Sequence, residues 1–243
     1  MSDDYREDLA YIHDAGFGHM AEAAGPVLID AARRSGYERG LIIDMGCGSG
    51  ILARALVNAG YEVQGIDISQ AMVRIAKKRV PRARFEVGSI LSAELAQCVA
   101  VAAVGECLNY LFDASHSLPA LEHLFYRIHR ALMPRGVLLF DVAEPGRVPG
   151  GGPRQSFAEG ADWAVLVESR ENFATDILTR RITTFRQIGK LYRRGHETHR
   201  LRLIRREEVT PTLRAIGFRV RTLRGYERIP FPAGLVGFLA RKV

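Results

Sequence analysis

Leu41-Ile42-Ile43-Asp44-Met45-Gly46-Cys47-Gly48-Ser49-Gly50 decides the fold. Residues 41–44 read as a mostly apolar strand, glycines at alternate positions then break it, and Ile51, Leu52, Ala55, Leu56 and Ala59 recur at helical spacing up to Gly60. Glycine in such a loop leaves no Cβ between the backbone and an incoming ligand. The spacing discriminates between ligands. A dinucleotide fingerprint would place its third glycine at position 51, which is Ile51, whereas here it arrives at Gly50, with Asp44 two residues before the first glycine. A nicotinamide or flavin ligand is therefore disfavoured.

Working outward, a second strand over 63–66 leads into Gly65-Ile66-Asp67-Ile68-Ser69, with Asp67 at the strand end, 23 residues after Asp44. An ionised carboxylate is acceptor-only and can hold both hydroxyls of a ribose. Either loop alone is also read as an ordinary strand-to-helix turn; the pair points to a nucleoside. Ser69 is placed to cap a helix carrying Met72, Ile75 and Ala76, which Pro81 stops. Strands follow at 84–87 and 99–104, the latter an apolar run suited to burial on both faces. A helix over 118–132 and the turn Pro134-Arg135-Gly136 lead to a fifth strand at 137–140.

Beyond a loop at 145–153 the pattern changes. Segments 163–171, 178–188 and 191–204 read as long strands with no helix between them, an antiparallel meander inserted into the sheet. A helix near 206–216, ended by Gly217, and strands near 219–226 and 235–242 complete the chain. The expected fold class is α/β: a Rossmann-like, mostly parallel seven-stranded sheet with helices on both faces and an inserted antiparallel β meander after strand five. A single domain is expected, with a core at 41–145, the insertion at 146–205 covering the pocket, and 206–243 completing the sheet. Ligands in open α/β sheets bind beyond the carboxyl ends of the strands, where such an insertion can close the site.

At 243 residues, with 47% hydrophobic and 25% charged residues, the chain can bury one sizeable core. Three cysteines without paired metal-ligand spacing suggest neither a disulfide framework nor a metal site, and fit a reducing cytoplasm. An acidic start at Asp3 and Asp4, and no long apolar run, give no sign of export or membrane insertion. The net charge of +7 is unevenly spread: 177–243 hold 17 Lys or Arg against 4 Asp or Glu, and 1–176 hold 17 against 23. A basic tail attracts an anionic substrate or nucleic acid, or is a solvated face.

With these motifs the chain resembles the class I S-adenosylmethionine-dependent methyltransferases over nearly its whole length. Asp44-Met45-Gly46-Cys47-Gly48-Ser49-Gly50 is similar to their first motif, Asp67-Ile68-Ser69-Gln70-Ala71-Met72 to their ribose loop, and Leu132-Met133-Pro134-Arg135-Gly136-Val137-Leu138 to the turn before their fifth strand. The resemblance implies S-adenosylmethionine as cofactor and S-adenosylhomocysteine as product. It puts Gly46 and Gly48 against the methionine part, Asp67 on the ribose, and Ile68 and Met72 on adenine, with Asp44, Cys47, Gly105 and Glu106 close by. Where the family often has an acid after the third strand, this chain has Gly88-Ser89-Ile90, so backbone groups of Ser89 and Ile90 are expected to hold adenine.

The fourth strand ends in Gly105-Glu106-Cys107-Leu108-Asn109-Tyr110, without the Asn or Asp-Pro-Pro-aromatic signature of nucleic-acid amino methyltransferases. A small-molecule N or O acceptor is expected, an anionic one being a reading of the basic tail; an RNA-directed enzyme and a non-catalytic S-adenosylmethionine-binding protein are the alternatives. Methyl transfer from a sulfonium needs alignment above all. An oxygen acceptor also needs a base, for which Glu106, His13 and His199 are the candidates. Residues 1–40 resemble the helical lid of some small-molecule methyltransferases, with Tyr11 and His13 toward the cofactor. Monomer and homodimer both stay open.

Overall fold

The structure, a computed structural model, describes residues 5–243. Its main sheet uses the strands β1 (Leu41–Met45), β2 (Glu62–Asp67), β3 (Arg84–Val87), β4 (Cys98–Ala103), β5 (Leu132–Ala143), β10 (Phe218–Leu223) and β13 (Leu235–Lys242), in the order β10-β13-β5-β4-β1-β2-β3. Strands β1 to β5 pair in parallel, and β13 runs antiparallel to both β5 and β10. The sheet is Rossmann-like and mostly parallel, as the alternation of apolar runs and amphipathic segments requires.

Helices cover both faces. Ile42, Ala100, Ala102, Val137 and Leu139 pack under α2 (His19–Arg34), α3 (Ile51–Asn58) and α4 (Gln70–Arg79), whereas Ile43, Met45, Val101, Leu138 and Phe140 pack on α5 (Leu118–Ala131) and α6 (Arg206–Ile216). All six residues of β4 are buried, the signature of a central strand covered twice. Ser69 caps α4 by accepting the Met72 N–H at 3.2 Å, and Gly217, at φ +111°, ends α6 in the left-handed region. A Cβ at Gly50 would stand 3.1 Å from Cβ of Ala76, so this glycine allows α3 and α4 to approach.

The inserted segment departs from expectation in strand number. It has four strands, β6 (Arg154–Glu159), β7 (Trp163–Asn172), β8 (Ile177–Ile188) and β9 (Leu191–Arg202), where three were expected, and they form a sheet separate from the main one. β6 is an edge strand, exposed at five of its six positions, so no buried alternation announces it. The meander's inner face packs at one end through Trp163, Val165 and Ile182 on Leu9 and Ile12 of α1 (Glu7–Gly16), and at the other through Leu178 and Leu201 on Ala143, Val148 and Leu203.

Smaller differences follow from turns. β5 begins at Leu132 and carries the turn within it, with Arg135 at φ +64°. The strand expected to 226 stops at Leu223, and a short hairpin, β11 (Gly225–Tyr226) with β12 (Ile229–Pro230), follows. Of the expected lid over 1–40, residues 1–4 lie outside the described residues. α2 belongs to the core, where Ala24, Leu28 and Ala32 pack with Leu52 and Leu56, which leaves α1 alone between α4 and the meander. No described helix is long and apolar enough to cross a membrane.

Candidate active site

A cavity of about 640 Å³ runs from the carboxyl ends of β1 to β4 to the inner face of the meander. Its floor is the glycine loop. Gly46 and Cys47 donate their N–H groups to Ile66 O at 2.8 and 3.1 Å, which fastens the loop to the end of β2. Gly48, at φ +50°, has nothing within 4 Å of where a Cβ would stand, so the cavity reaches its backbone. Asp67 ties the two loops together: Oδ2 accepts the Gly48 N–H and Oδ1 the Ser69 N–H, both at 2.8 Å. Burial raises the Asp67 pKa and these donors oppose the rise.

Cys47, Ile68, Met72, Ser89, Ile90, Gly105 and Glu106 line the same cavity as Gly46, Gly48 and Asp67. Asp44 is buried behind the loop, outside the lining, with Oδ2 unpartnered among the described residues. Burial and the nearby Asp67 push its carboxyl up to about 8. Tyr11 stands corrected as a cofactor contact: its hydroxyl donates to Asp162 at 2.8 Å, the Arg186 guanidinium lies 3.8 Å over its ring, and it does not reach the cavity. Leu9, His13 and Phe17, at fourfold spacing, form the face of α1 that does, and Tyr11 lies two residues off it.

The three base candidates differ in surroundings. Glu106 follows Gly105 at the end of β4, where the Asp141 carboxylate holds its N–H at 2.6 Å; Asp141 itself also takes the Tyr226 hydroxyl. Its own carboxylate bridges Arg147 Nε at 2.8 Å and an Arg180 guanidinium nitrogen at 2.7 Å. Burial alone would raise its pKa, yet Arg180 and Arg147 hold it below the ordinary value. An anion so engaged is a weak proton acceptor. Its two oxygens hold Arg147 and Arg180 in position.

His13 lines the cavity with Nδ1 unpartnered among the described residues, and burial pushes its pKa down to about 4, which keeps it neutral. His199 is wholly buried. Its Nε2 lies 2.9 Å from Glu197 Oε2, and its ring packs on Tyr5 and Phe112, with centroids 4.8 and 4.9 Å away. Glu197 also accepts the Tyr5 and Arg6 N–H groups at 2.8 and 3.1 Å, so the pair fastens the segment leading into α1. Burial raises the thiols of Cys47 and Cys107 well above the ordinary value, which leaves them protonated packing groups.

Several lining residues escape sequence reasoning: Tyr5, Tyr110, Asp113, Arg147 and Arg180. Arg180 stands opposite His199 in the β8/β9 register and reaches Glu106 across 74 residues of chain, and its other guanidinium arm lies 3.4 Å from the Tyr110 hydroxyl. Tyr110 in turn meets the Tyr5 hydroxyl at 3.1 Å. No local signal encodes which meander face turns inward.

A nucleoside with a charged amino-acid tail fits this lining: backbone accessible at Gly48, a carboxylate fixed by two N–H donors, and apolar Ile68 and Met72 beside it. Residues 42–136 match the model of a family described as "Methyltransferase domain". A Bacillus subtilis (strain 168) protein named "Putative methyltransferase YqeM" is 28% identical over 190 residues, 75% of each chain. A dTDP-3-amino-3,6-dideoxy-alpha-D-glucopyranose N,N-dimethyltransferase of Streptomyces fradiae is 27% identical over 91% of this chain and 88% of its own. The S-adenosylmethionine-bound structure of CalS10, an amino pentose methyltransferase from Micromonospora echinaspora, superposes with a TM-score of 0.75 at 20% identity, over 96% of this chain and 95% of that one. Loops, sheet order and domain match together support a class I S-adenosylmethionine-dependent methyltransferase.

Proposed function

We propose that this enzyme transfers the methyl group of S-adenosylmethionine to a nitrogen or oxygen of a small polar acceptor seated beneath the meander. The observation that carries this reading is the continuity of the cavity, from Gly48 and Asp67 to Ser169, Arg180 and Ile182. Gly46 and Gly48 would take the methionine part, Asp67 the ribose, and Ile68 and Met72 the adenine. The sulfonium supplies an activated methyl group; the chain's own task is to align the acceptor and exclude water.

The acceptor end favours an anionic or neutral partner over a cation. Among the described residues Arg147, Arg154 and Arg180 line it against the carboxylate of Glu106. With Glu106 engaged by two arginines and His13 held neutral and weakly basic, an acceptor that already offers a lone pair suits the site best: a carboxylate, or an uncharged amine. The dTDP-linked amino sugar in the Streptomyces fradiae relative's name joins both features, an amine and an anionic group. The test is transfer from methyl-labelled S-adenosylmethionine to panels of amino sugar nucleotides, carboxylic acids and tRNA, read by mass. Labelling of a small molecule is expected; labelling of tRNA alone would overturn the reading.

A further inference from the structure

The adenine end of the cavity lacks an acid where the chain leaves β3, because the residues there are Gly88, Ser89 and Ile90. Among the described residues three carboxylates line the cavity: Asp67, Glu106 and Asp113. Asp67 is tied to the glycine loop, and Glu106 is spent on two arginines at the opposite end. Asp113 comes from the loop after β4. Its Oδ2 accepts the Ser89 hydroxyl, and its Oδ1 accepts the N–H and hydroxyl of Ser115 at 2.8 and 2.6 Å. Ser89 Oγ in turn accepts the Leu91 N–H at 3.1 Å, so the side chain that reaches Asp113 is itself fixed.

Resting on the assignment of this cavity to S-adenosylmethionine, we infer that Asp113 reads the adenine amino group, a carboxylate delivered from the β4 loop and pinned by Ser89 to the place the β3 turn leaves without one. An exocyclic amine is a donor and needs an acceptor; Oδ2 of Asp113 accepts one hydrogen bond, from Ser89, and keeps a second lone pair for it. The hydrogen bonds from Ser115 and Ser89 hold the Asp113 pKa below the ordinary carboxyl value, so the group stays an acceptor across the neutral range. Hypoxanthine presents a carbonyl oxygen where adenine presents its amine. A carboxylate facing it meets lone pairs with lone pairs.

The test compares binding of S-adenosylhomocysteine and S-inosylhomocysteine by calorimetry, which needs no acceptor and no turnover. The wild-type chain is expected to prefer the adenosyl ligand by about tenfold or more, the effect of one hydrogen bond to a charged acceptor. Asp113→Asn keeps the shape and the contact with Ser115, and its amide can donate to the hypoxanthine oxygen, so the preference should collapse or reverse. Asp113→Ala, as a second variant, should erase the preference without reversing it. A wild-type preference that survives both substitutions overturns the assignment of Asp113. Failure of the wild-type chain to bind either ligand would instead overturn the cofactor assignment on which it rests.

Discussion

Asp67 accepts two backbone N–H groups and still faces the cavity, so its removal both frees the glycine loop and deletes a charged acceptor. Asp67→Ala should cost on the order of 1.5 to 3 kcal/mol in S-adenosylhomocysteine affinity, measured by calorimetry; unchanged affinity would mean the sugar lies elsewhere. Glu106→Gln tests the positioning role. It leaves the half-buried Arg180 facing Arg147 without their shared buried anion, which should cost about 3 kcal/mol in urea unfolding. The folded pKa of Glu106 is depressed, so its contribution is present above the unfolded value of 4.5 and is lost as pH falls through the folded one. The gap between wild type and variant should close on that side. His13 has the opposite charge type and the same direction: between its unfolded 6.5 and folded value of about 4, the unfolded chain binds a proton that the folded chain refuses. Stability is full above that window and drains as pH falls through it. His13→Gln should flatten this fall, seen in urea midpoints at roughly pH 5 and 7.

At the scale of elements, α1 is held to the meander by ion pairs as well as by the apolar contacts of Leu9 and Ile12. Asp8 accepts Arg193 at 2.5 and 2.6 Å and Arg186 at 3.3 Å, which hold its pKa down. On the α4 side Arg79 grips Asp14 with both nitrogens, at 2.6 and 3.0 Å. Asp8→Asn should therefore quicken amide exchange along α1 several-fold while leaving the strands of the main sheet unchanged; uniform loss of protection would mean that α1 unfolds only with the whole domain. The same element shows what a sequence discloses and what it withholds. The strands β1 to β5 and their turns were legible because each carries its own apolar run and its own glycine, proline or serine boundary, as at Gly50, Ser69 and Pro134. Asp67 beside Gly48 was legible for the same reason, since both lie at the tips of adjacent parallel strands. β6 was not, because an exposed edge strand such as Arg154–Glu159 has no buried face to imprint on its sequence. Tyr11 was misread because lid and helix alike allow it, and only the rotation of α1 against the meander sends His13 inward and Tyr11 out. Arg180, Tyr110 and Asp113 reach the cavity through register and loop path, which are properties of the assembled chain.

Across the whole molecule, the division between an acidic first part and a basic tail becomes a pairing within the fold. Arg180 meets Glu106, Arg186 and Arg193 meet Asp8, Arg205 meets Asp176 at 2.9 Å, and Arg206 meets Glu144. In each case a tail arginine neutralises a carboxylate from before residue 177, and the meander is the surface on which most of these meetings occur. The excess of positive charge is thus partly spent on holding α1, the meander and the core together. A polyanion would have to compete with those carboxylates, and phosphate contacts that displace existing ion pairs release few counterions. Binding of tRNA, followed by fluorescence anisotropy between roughly 50 and 200 mM salt, should be weak. Its dependence on salt should be shallow, well below the slope of about −0.9 per phosphate that a tracking site gives. Tight binding with a steep slope would mean that arginines on the outer face of the meander, such as Arg170, Arg194 and Arg200, form a backbone-tracking surface, and the acceptor would then have to be sought among RNAs.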